Sequence, residues 1–263
     1  MILVIDIGNT NIVFGLYEGD ILRGILRVET ELSVSAKGYA GKLLAFLESE
    51  HVSVSKLKGS IIASVVPGVD AVIKEACRIC LKREPVFVSH EIDMGLKICY
   101  ENPKQAGIDR IVNSVAAFDK YNQAVIVIDF GTATTFDIID AEGAYCGGVI
   151  APGPHLSMEA LYQAAAKLPR VGIEQPPNVI GKNTVHAMQS GLFWGYVSMI
   201  EGLLDRLILE MSWEMDEETS EDPCIIATGG LATLFSSAIP AIETVDNDLT
   251  LRGLSYIHYH SRN

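Results

Sequence analysis

Two short segments of the chain each place an aspartate and a glycine directly after an apolar run. They are Asp6-Ile7-Gly8-Asn9-Thr10-Asn11 and Asp129-Phe130-Gly131-Thr132-Ala133-Thr134-Thr135. Glycine and asparagine tolerate positive φ, so such turns can direct backbone N–H groups toward an anion, with Thr10 and Asn11 as further donors. A carboxylate alone would repel phosphate, so we expect Asp6 to hold Mg²⁺, directly or through water. A plain hairpin turn would explain one isolated copy, but a carboxylate that ends a buried strand is costly unless it binds something.

The two segments belong to an internal repeat. Asp6 and Asp129 have the same separation as Gly8 and Gly131, and each copy continues as a meander of three strands. Helices and strands then alternate, which predicts the order β-β-β-α-β-α-β in each half. We therefore expect an α/β protein with two ribonuclease-H-like lobes, residues 1–120 and 121–263, that face each other across a cleft. This is the actin/Hsp70/sugar-kinase fold.

Composition narrows the classes of partner. The 263 residues are 49% hydrophobic and 20% charged, with a formal net charge of −13. This charge argues against nucleic acid and anionic membranes as partners, so backbone N–H groups or a metal ion must hold any bound phosphate. We also expect a cytoplasmic protein, because no apolar stretch approaches ~20 residues and the five cysteines are an odd set that fits a reducing compartment. Cys77 and Cys80 form a C-x-x-C, but their helical apolar setting favours two packed thiols over a redox or zinc pair.

Two further sites could contribute chemistry. Gly229-Gly230 follows a predicted strand, and small residues there would permit close approach of a flat ring or ribose, although an ordinary tight turn has the same composition. Asp109-Arg110 precedes an apolar helix. A carboxylate could accept the proton of an alcohol nucleophile, whereas an N-terminal cap is the alternative role for Asp109. Arg110 suits an anionic substrate group, and a surface salt bridge is its alternative.

Several of these segments resemble those of type III pantothenate kinases, in the same order from Met1 to about Gly253. The two aspartate turns resemble the phosphate loops of that family, and Gly229-Gly230 resembles the adenosine motif of the superfamily. The remaining matching segments are Gly107-Ile108-Asp109-Arg110, Gly147-Gly148-Val149-Ile150-Ala151-Pro152-Gly153 and Ile180-Gly181-Lys182-Asn183-Thr184.

The resemblance implies a homodimeric enzyme that transfers phosphate from ATP to the primary hydroxyl of pantothenate, the first step of coenzyme A biosynthesis. It also implies Mg²⁺ and a monovalent cation, K⁺ or NH₄⁺, with Asp129 as the cation ligand and Asp109 as the general base. The positions that match ATP contacts are Asp6, Ile7, Gly8, Asn9, Thr10, Asn11, Ile12, Val13, Thr132, Gly229 and Gly230. The positions that match pantothenate contacts are Tyr100, Gly107, Ile108, Asp109, Arg110 and Thr184, of which Thr184 reaches across the dimer. Without the resemblance, Tyr100 is predicted to be a packed aromatic side chain in a strand, and Thr184 could equally be a helix cap.

Three other segments have structural interpretations. The stretch from Ser190 to Ile200 is helical and apolar on nearly every face, which predicts burial in a core or at a subunit interface. We favour the homodimer interface, and a wholly intrachain helix is the alternative. The acidic stretch from Glu214 to Asp222 is predicted to be a solvated connection, and His258-Tyr259-His260 a solvated tail.

Three rival functions share this fold. They are a conformational ATPase of the actin or Hsp70 type, a relative that has lost catalysis and serves as an ATP-binding regulatory protein, and a sugar or acetate kinase. The chain is short for the first, and it retains Asp6, Asp109 and Asp129, which argues against the second. The third, a sugar or acetate kinase, would be expected to differ from this chain at Gly107 to Arg110.

Overall fold

The computed structural model of the protein describes residues 1–213 and 222–260. Within them the chain divides into two compact units. One comprises Met1–Ala117 together with the residues from Asp248 onward, and the other comprises Phe118–Asn247. Nearly all of the acidic stretch, residues 214–221, lies outside the described residues.

The first unit is built on one five-stranded sheet. Its strands are β1 (Ile2–Ile7), β2 (Asn11–Glu18), β3 (Ile21–Glu29), β4 (Ser60–Ser64) and β5 (Val86–Phe87). Their order is β3-β2-β1-β4-β5, in which β1 pairs antiparallel with β2 and parallel with β4. The helices are α1 (Ala36–Ser49), α2 (Pro67–Leu81) and α3 (Ile108–Tyr121), which begins in this unit. The predicted element order of the first half is confirmed, although the last strand has only two residues.

The second unit repeats this sheet. Its strands are β6 (Val125–Phe130), β7 (Ala133–Ile139), β8 (Tyr145–Pro152), β9 (Cys224–Gly229) and β10 (Thr244–Val245). Their order, β10-β9-β6-β7-β8, is that of the first sheet, with β6 in the place of β1. The helices are α4 (Pro154–Ala164), α5 (Thr184–Trp213) and α6 (Ala232–Ser236). Helix α4 is an addition that the sequence pattern did not predict.

Apolar residues cover both faces of the central strands. Ile2 to Ile5 of β1 and Val125 to Ile128 of β6 are all fully buried, as expected for parallel strands with both faces covered. In the first unit, one face of the sheet packs against α1 and α2. In the second unit, one face packs against α5 and α6.

The last described element is a helix rather than a tail. Helix α7 (Leu249–His260) packs against β1 and β4, and His258 is only 3% exposed. The predicted solvated tail is therefore wrong in being a tail and wrong at His258, which packing buries despite its polarity, whereas Tyr259 and His260 are exposed as predicted. The sequence boundaries assigned this segment to the second lobe, whereas it packs with the first unit.

Helix α5 has two different faces. Its large side chains Phe193, Val197 and Ile200 are buried in the core of the second unit, while Gly191 and Gly195 are exposed. The bulk of its apolar surface is therefore intrachain, and between Ser190 and Ile200 the exposed positions, Gly191, Gly195 and Ser198, are all small residues. None of the helices in the described part of the chain is long and apolar enough to cross a membrane.

Candidate active site

The first aspartate turn lies at the carboxyl end of β1. Asp6 is half-buried, opposite Val13 of β2 and Ala63 of β4. The turn closes when the Gly8 N–H donates to the Asn11 carbonyl at 2.9 Å.

A threonine at the end of β3 fixes this turn from the other side. The Thr30 hydroxyl donates to the Gly8 carbonyl at 2.7 Å, and the Thr30 N–H donates to the Thr10 carbonyl at 3.0 Å. Neither Gly8 nor Asn9 adopts positive φ, so that part of the prediction is wrong. The turn is shaped by hydrogen bonds, with Asn9 and Thr10 exposed at its tip.

The second aspartate turn is one residue shorter. Ile7 pairs with Ile12 in the first hairpin, whereas Phe130 pairs with Thr134 in the second. The shared register of the repeat therefore shifts by one residue after the turn. As a result, Asp129 lies opposite Thr135 of β7.

Two glycines pack against the second turn. Gly229 has a φ of +90°, and a Cβ there would lie 2.5 Å from Oδ1 of Asp129. A Cβ on Gly153 would lie 2.4 Å from the Thr132 carbonyl oxygen, and the Gly153 N–H donates to that oxygen at 3.1 Å. Both positions require glycine because the turn leaves no room for a side chain. The structure therefore brings Gly229, predicted to contact ATP, next to Asp129.

The carboxyl group of Asp109 lies in the first turn of α3. The helix begins at Ile108, and the Ile111 N–H donates to the Gly107 carbonyl, so Asp109 is inside the helix and is not its cap. Oδ1 of Asp109 accepts the Arg110 N–H at 2.9 Å. Burial raises the pKa of Asp109, and the Arg110 hydrogen bond and charge only partly oppose this shift.

The residues on either side of Asp109, Gly107 and Arg110, have roles that the structure clarifies. A Cβ on Gly107 would lie 2.5 Å from Oδ1 of Asp109, so this glycine allows the carboxyl group to fold back over the loop. Arg110 is 6% exposed, which excludes a surface salt bridge as its role. A buried guanidinium must be compensated by partners within the fold or by a bound anion.

The remaining predicted substrate residues are more open. Tyr100 lies in an irregular segment and is half-buried, so the predicted strand there is wrong. Thr184 is exposed at the first position of α5. The cap of this helix is Asn183, whose side-chain oxygen accepts the His186 N–H at 2.8 Å. A Cβ on Gly181 would lie 2.3 Å from the Ala187 nitrogen, which explains the glycine in this segment.

Sequence reasoning missed one hydroxyl beside the proposed cation ligand. Thr228, 3% exposed, is paired with Asp129 from β9 and therefore shares its face of the sheet. A threonine at the end of a strand preceding a diglycine is a weak signal, and only the register between β6 and β9 reveals the proximity. Among the described residues, no group of three or more His, Cys, Asp or Glu side chains could hold a metal ion.

Comparison with known proteins settles the family. The family model of type III pantothenate kinase matches residues 2–206. A type III pantothenate kinase of Paramagnetospirillum magneticum is 51% identical over 98% of this chain and 96% of its own length. This chain belongs to the type III pantothenate kinase family. Members from Rhodospirillum rubrum and Syntrophotalea carbinolica are 48% and 45% identical, and the alignments cover at least 98% of both chains in each case.

Solved structures confirm the fold. A Campylobacter jejuni protein described as a Baf family transcriptional activator aligns with a TM-score of 0.60 at 19% identity, over all of both chains. The Lmo2764 protein of Listeria monocytogenes, assigned as an N-acetylmannosamine kinase, aligns with a TM-score of 0.56 at 10% identity, over 100% of this chain and 99% of that one. At these identities the likeness establishes the actin/Hsp70/sugar-kinase fold alone.

Proposed function

We propose that this protein transfers the γ-phosphoryl group of ATP to the primary hydroxyl of pantothenate and forms 4'-phosphopantothenate, the first step of coenzyme A biosynthesis. The observation that carries this proposal is membership of the family over the full chain, with 51% identity to a type III pantothenate kinase. The carboxyl group of Asp109, held in the first turn of α3, supports it from chemistry. Coenzyme A synthesis and the five free cysteines fit a reducing, cytoplasmic setting.

Asp109 is assigned as the general base. A primary alcohol is a poor nucleophile at neutral pH, so its proton must be accepted as the new P–O bond forms at the γ-phosphorus. A carboxylate whose pKa is raised by burial is a stronger base than an exposed one. The Arg110 N–H holds Oδ1, which fixes the direction of the carboxyl group. We assign the loop Gly107 to Arg110, Tyr100 and Thr184 to pantothenate.

ATP contacts are assigned to both aspartate turns. In the first unit they are Asp6 to Val13, and in the second unit they are Thr132, Gly229 and Gly230. Asp6 suits Mg²⁺ because this ion commonly takes one or two protein carboxylates together with substrate phosphates and water. When bound there, Mg²⁺ would neutralise phosphate charge.

Asp129 is assigned to a monovalent cation, K⁺ or NH₄⁺. Its surroundings supply hydroxyl groups from Thr135 and Thr228 on the same face of the sheet. The single negative charge of the carboxylate matches the single positive charge of the ion. The hydroxyl groups add neutral oxygen donors, which are the ligands that hard cations prefer. The residues present therefore fit such an ion.

A homodimer is proposed through the exposed face of α5. The exposed small residues Gly191 and Gly195 would let a second helix approach closely. Gly195→Glu should yield a monomer in light scattering, since an added Cβ there meets no atom within 4 Å in the single chain. Gly41→Glu, on the exposed face of α1 and equally unobstructed, should leave the dimer intact.

The test of the whole proposal is a coupled assay of ADP release. Pantothenate, a panel of sugars and acetate are compared as acceptors, each with and without K⁺. We expect turnover with pantothenate alone, and stimulation by K⁺. Preference for a sugar or acetate would assign the chain to another activity on the same fold, and acceptor-independent hydrolysis would favour a conformational ATPase.

A further inference from the structure

A buried carboxyl group lies close to the proposed cation site without belonging to it. Asp137 of β7 is 0% exposed. Tyr145, also fully buried, donates its hydroxyl to Oδ1 of Asp137 at 3.0 Å. Thr135 donates its hydroxyl to Oδ2 at 3.2 Å. Burial of a carboxyl group is costly even with hydrogen bonds, and an apolar side chain would avoid that cost.

The first unit shows that the fold does not need this carboxyl group. Asp137 pairs with Val127 of β6, and the equivalent pair in the first sheet is Gly15 with Val4. The same sheet position is therefore filled by glycine in one unit and by a hydrogen-bonded aspartate in the other. We look for the reason in what Asp137 touches.

Thr135 connects Asp137 to Asp129. Thr135 lies directly opposite Asp129 in the ladder, and Asp137 follows two residues later on the same strand. All three side chains therefore share one face of the sheet, and the Cβ atoms of Asp129 and Thr135 are expected about 4.5–5.5 Å apart. The hydroxyl group of Thr135 is thus placed between two carboxyl groups.

The direction of the Thr135 hydroxyl proton follows from its partner. A threonine hydroxyl has one proton to donate and two lone pairs to offer. Because the proton is donated to Asp137, the oxygen can only accept on its remaining side. An oxygen that presents lone pairs beside Asp129 is suited to a cation, whereas a hydroxyl that donated its proton to Asp129 would direct its hydrogen, and not its lone pairs, toward the site.

We infer that Thr135 is a ligand of the monovalent cation at Asp129, and that Asp137, held by Tyr145, is the positioning residue that turns the Thr135 oxygen toward that ion. The inference rests on the proposed role of Asp129. Partners that orient a metal ligand commonly change affinity by about 10–100-fold when they are removed.

The test compares Tyr145→Phe and Thr135→Val with the unmodified protein. Two quantities are measured: the K⁺ concentration for half-maximal kinase activity, and the rise in melting temperature when KCl replaces choline chloride. In both variants the K⁺ concentration for half-maximal activity should rise by about tenfold or more. Both should also lose most of the K⁺-dependent rise in melting temperature. Thr135→Ser keeps the hydroxyl and should restore K⁺ affinity.

Tyr39→Phe is the matched control. Tyr39 is 1% exposed in the first unit, and its hydroxyl donates to the Glu31 carbonyl, so the same atom is removed from an equally buried ring. This variant should retain the K⁺ dependence of the unmodified protein. If Tyr39→Phe raised the K⁺ requirement as much as Tyr145→Phe does, the effect would be due to general destabilisation and the inference would be overturned.

The outcomes separate this inference from the proposed function. Normal K⁺ affinity in folded Tyr145→Phe and Thr135→Val, in a K⁺-dependent pantothenate kinase, would overturn the inference alone. Absence of any K⁺ dependence in the unmodified protein would remove the cation role of Asp129 and the inference with it. A third outcome is that the unmodified protein does not phosphorylate pantothenate but still melts at a higher temperature in K⁺, and that the two variants lose this rise. That result would overturn the proposed function and support the cation site.

Discussion

Asp6 and Asp129 occupy the same position in two sheets of identical strand order, but their neighbours in the ladder differ. Asp6 is flanked by Val13 and Ala63, whereas Asp129 is flanked by two threonines. The repeat has therefore kept the carboxylate and changed the donors around it. Among these paired residues, those of the second copy carry side-chain hydroxyls and those of the first do not, which matches the different ions assigned to the two sites.

Asp109→Asn should lower kcat by at least about 100-fold, because a general base typically contributes 10²- to 10⁴-fold and the amide cannot accept the proton. The measurement is steady-state ADP release with saturating pantothenate. Asp119→Asn, at an exposed position of the same helix, is the control and should retain turnover. Near-normal turnover in Asp109→Asn would remove Asp109 from the role of base.

The same substitution should stabilise the folded protein at neutral pH. Burial raises the pKa of Asp109, so folding favours its protonated form. The stability from this group is full below its unfolded pKa and is lost as pH rises through its folded pKa. At neutral pH the ionised carboxylate thus opposes folding, and asparagine removes that penalty. Melting temperatures of both proteins across pH 3 to 8 should show a gain for Asp109→Asn that vanishes toward acid.

Gly229→Ala should destabilise the protein by at least about 1 kcal/mol, since its Cβ would meet Oδ1 of Asp129 at 2.5 Å and the backbone φ is +90°. Gly230→Ala is the control, because an added Cβ there meets no atom within 4 Å. Denaturant unfolding of the two variants measures the difference. Equal stabilities would show that the second turn can move away from Gly229 without cost.

Substitutions at Asn183 and Thr184 should separate an effect on helix stability from an effect on substrate binding. Asn183→Ala removes the cap of α5 and should cost about 1 kcal/mol of unfolding free energy. Thr184→Val should leave stability nearly unchanged and raise the KM for pantothenate by about 3–10-fold, the equivalent of one hydrogen bond. Unfolding curves and KM values for both variants provide the test. A raised KM in Asn183→Ala alone would instead assign the effect to helix geometry.

Local signals predicted the parts of the molecule that depend on local chemistry. An apolar run followed by Asp6 and Gly8 identifies a strand and a turn without knowledge of the partners, and the repeat of that signal at Asp129 predicted the second sheet. Helix α4 was missed because its first turn, Pro154-His155-Leu156, carries little apolar periodicity and only Pro154 is buried within the helix.

Side-chain contacts between separate elements were beyond prediction. Strand register determines both the approach of Gly229 to Asp129 and the hydrogen bond from Tyr145 to Asp137. A change of one residue in the length of the turn after Phe130 is enough to shift that register. The burial of His258 depends likewise on where α7 packs. In each case the deciding partner lies far away in sequence or on another strand.

The packing of α7 on β1 has a consequence for biosynthesis. The residues of the second unit, Phe118–Asn247, interrupt the first unit in sequence. During translation the later unit is therefore synthesised in full before the last element of the earlier one leaves the ribosome. Until then the nascent sheet lacks helix α7, and apolar side chains of β1 are uncovered. Chaperone binding would protect the nascent chain most at this stage.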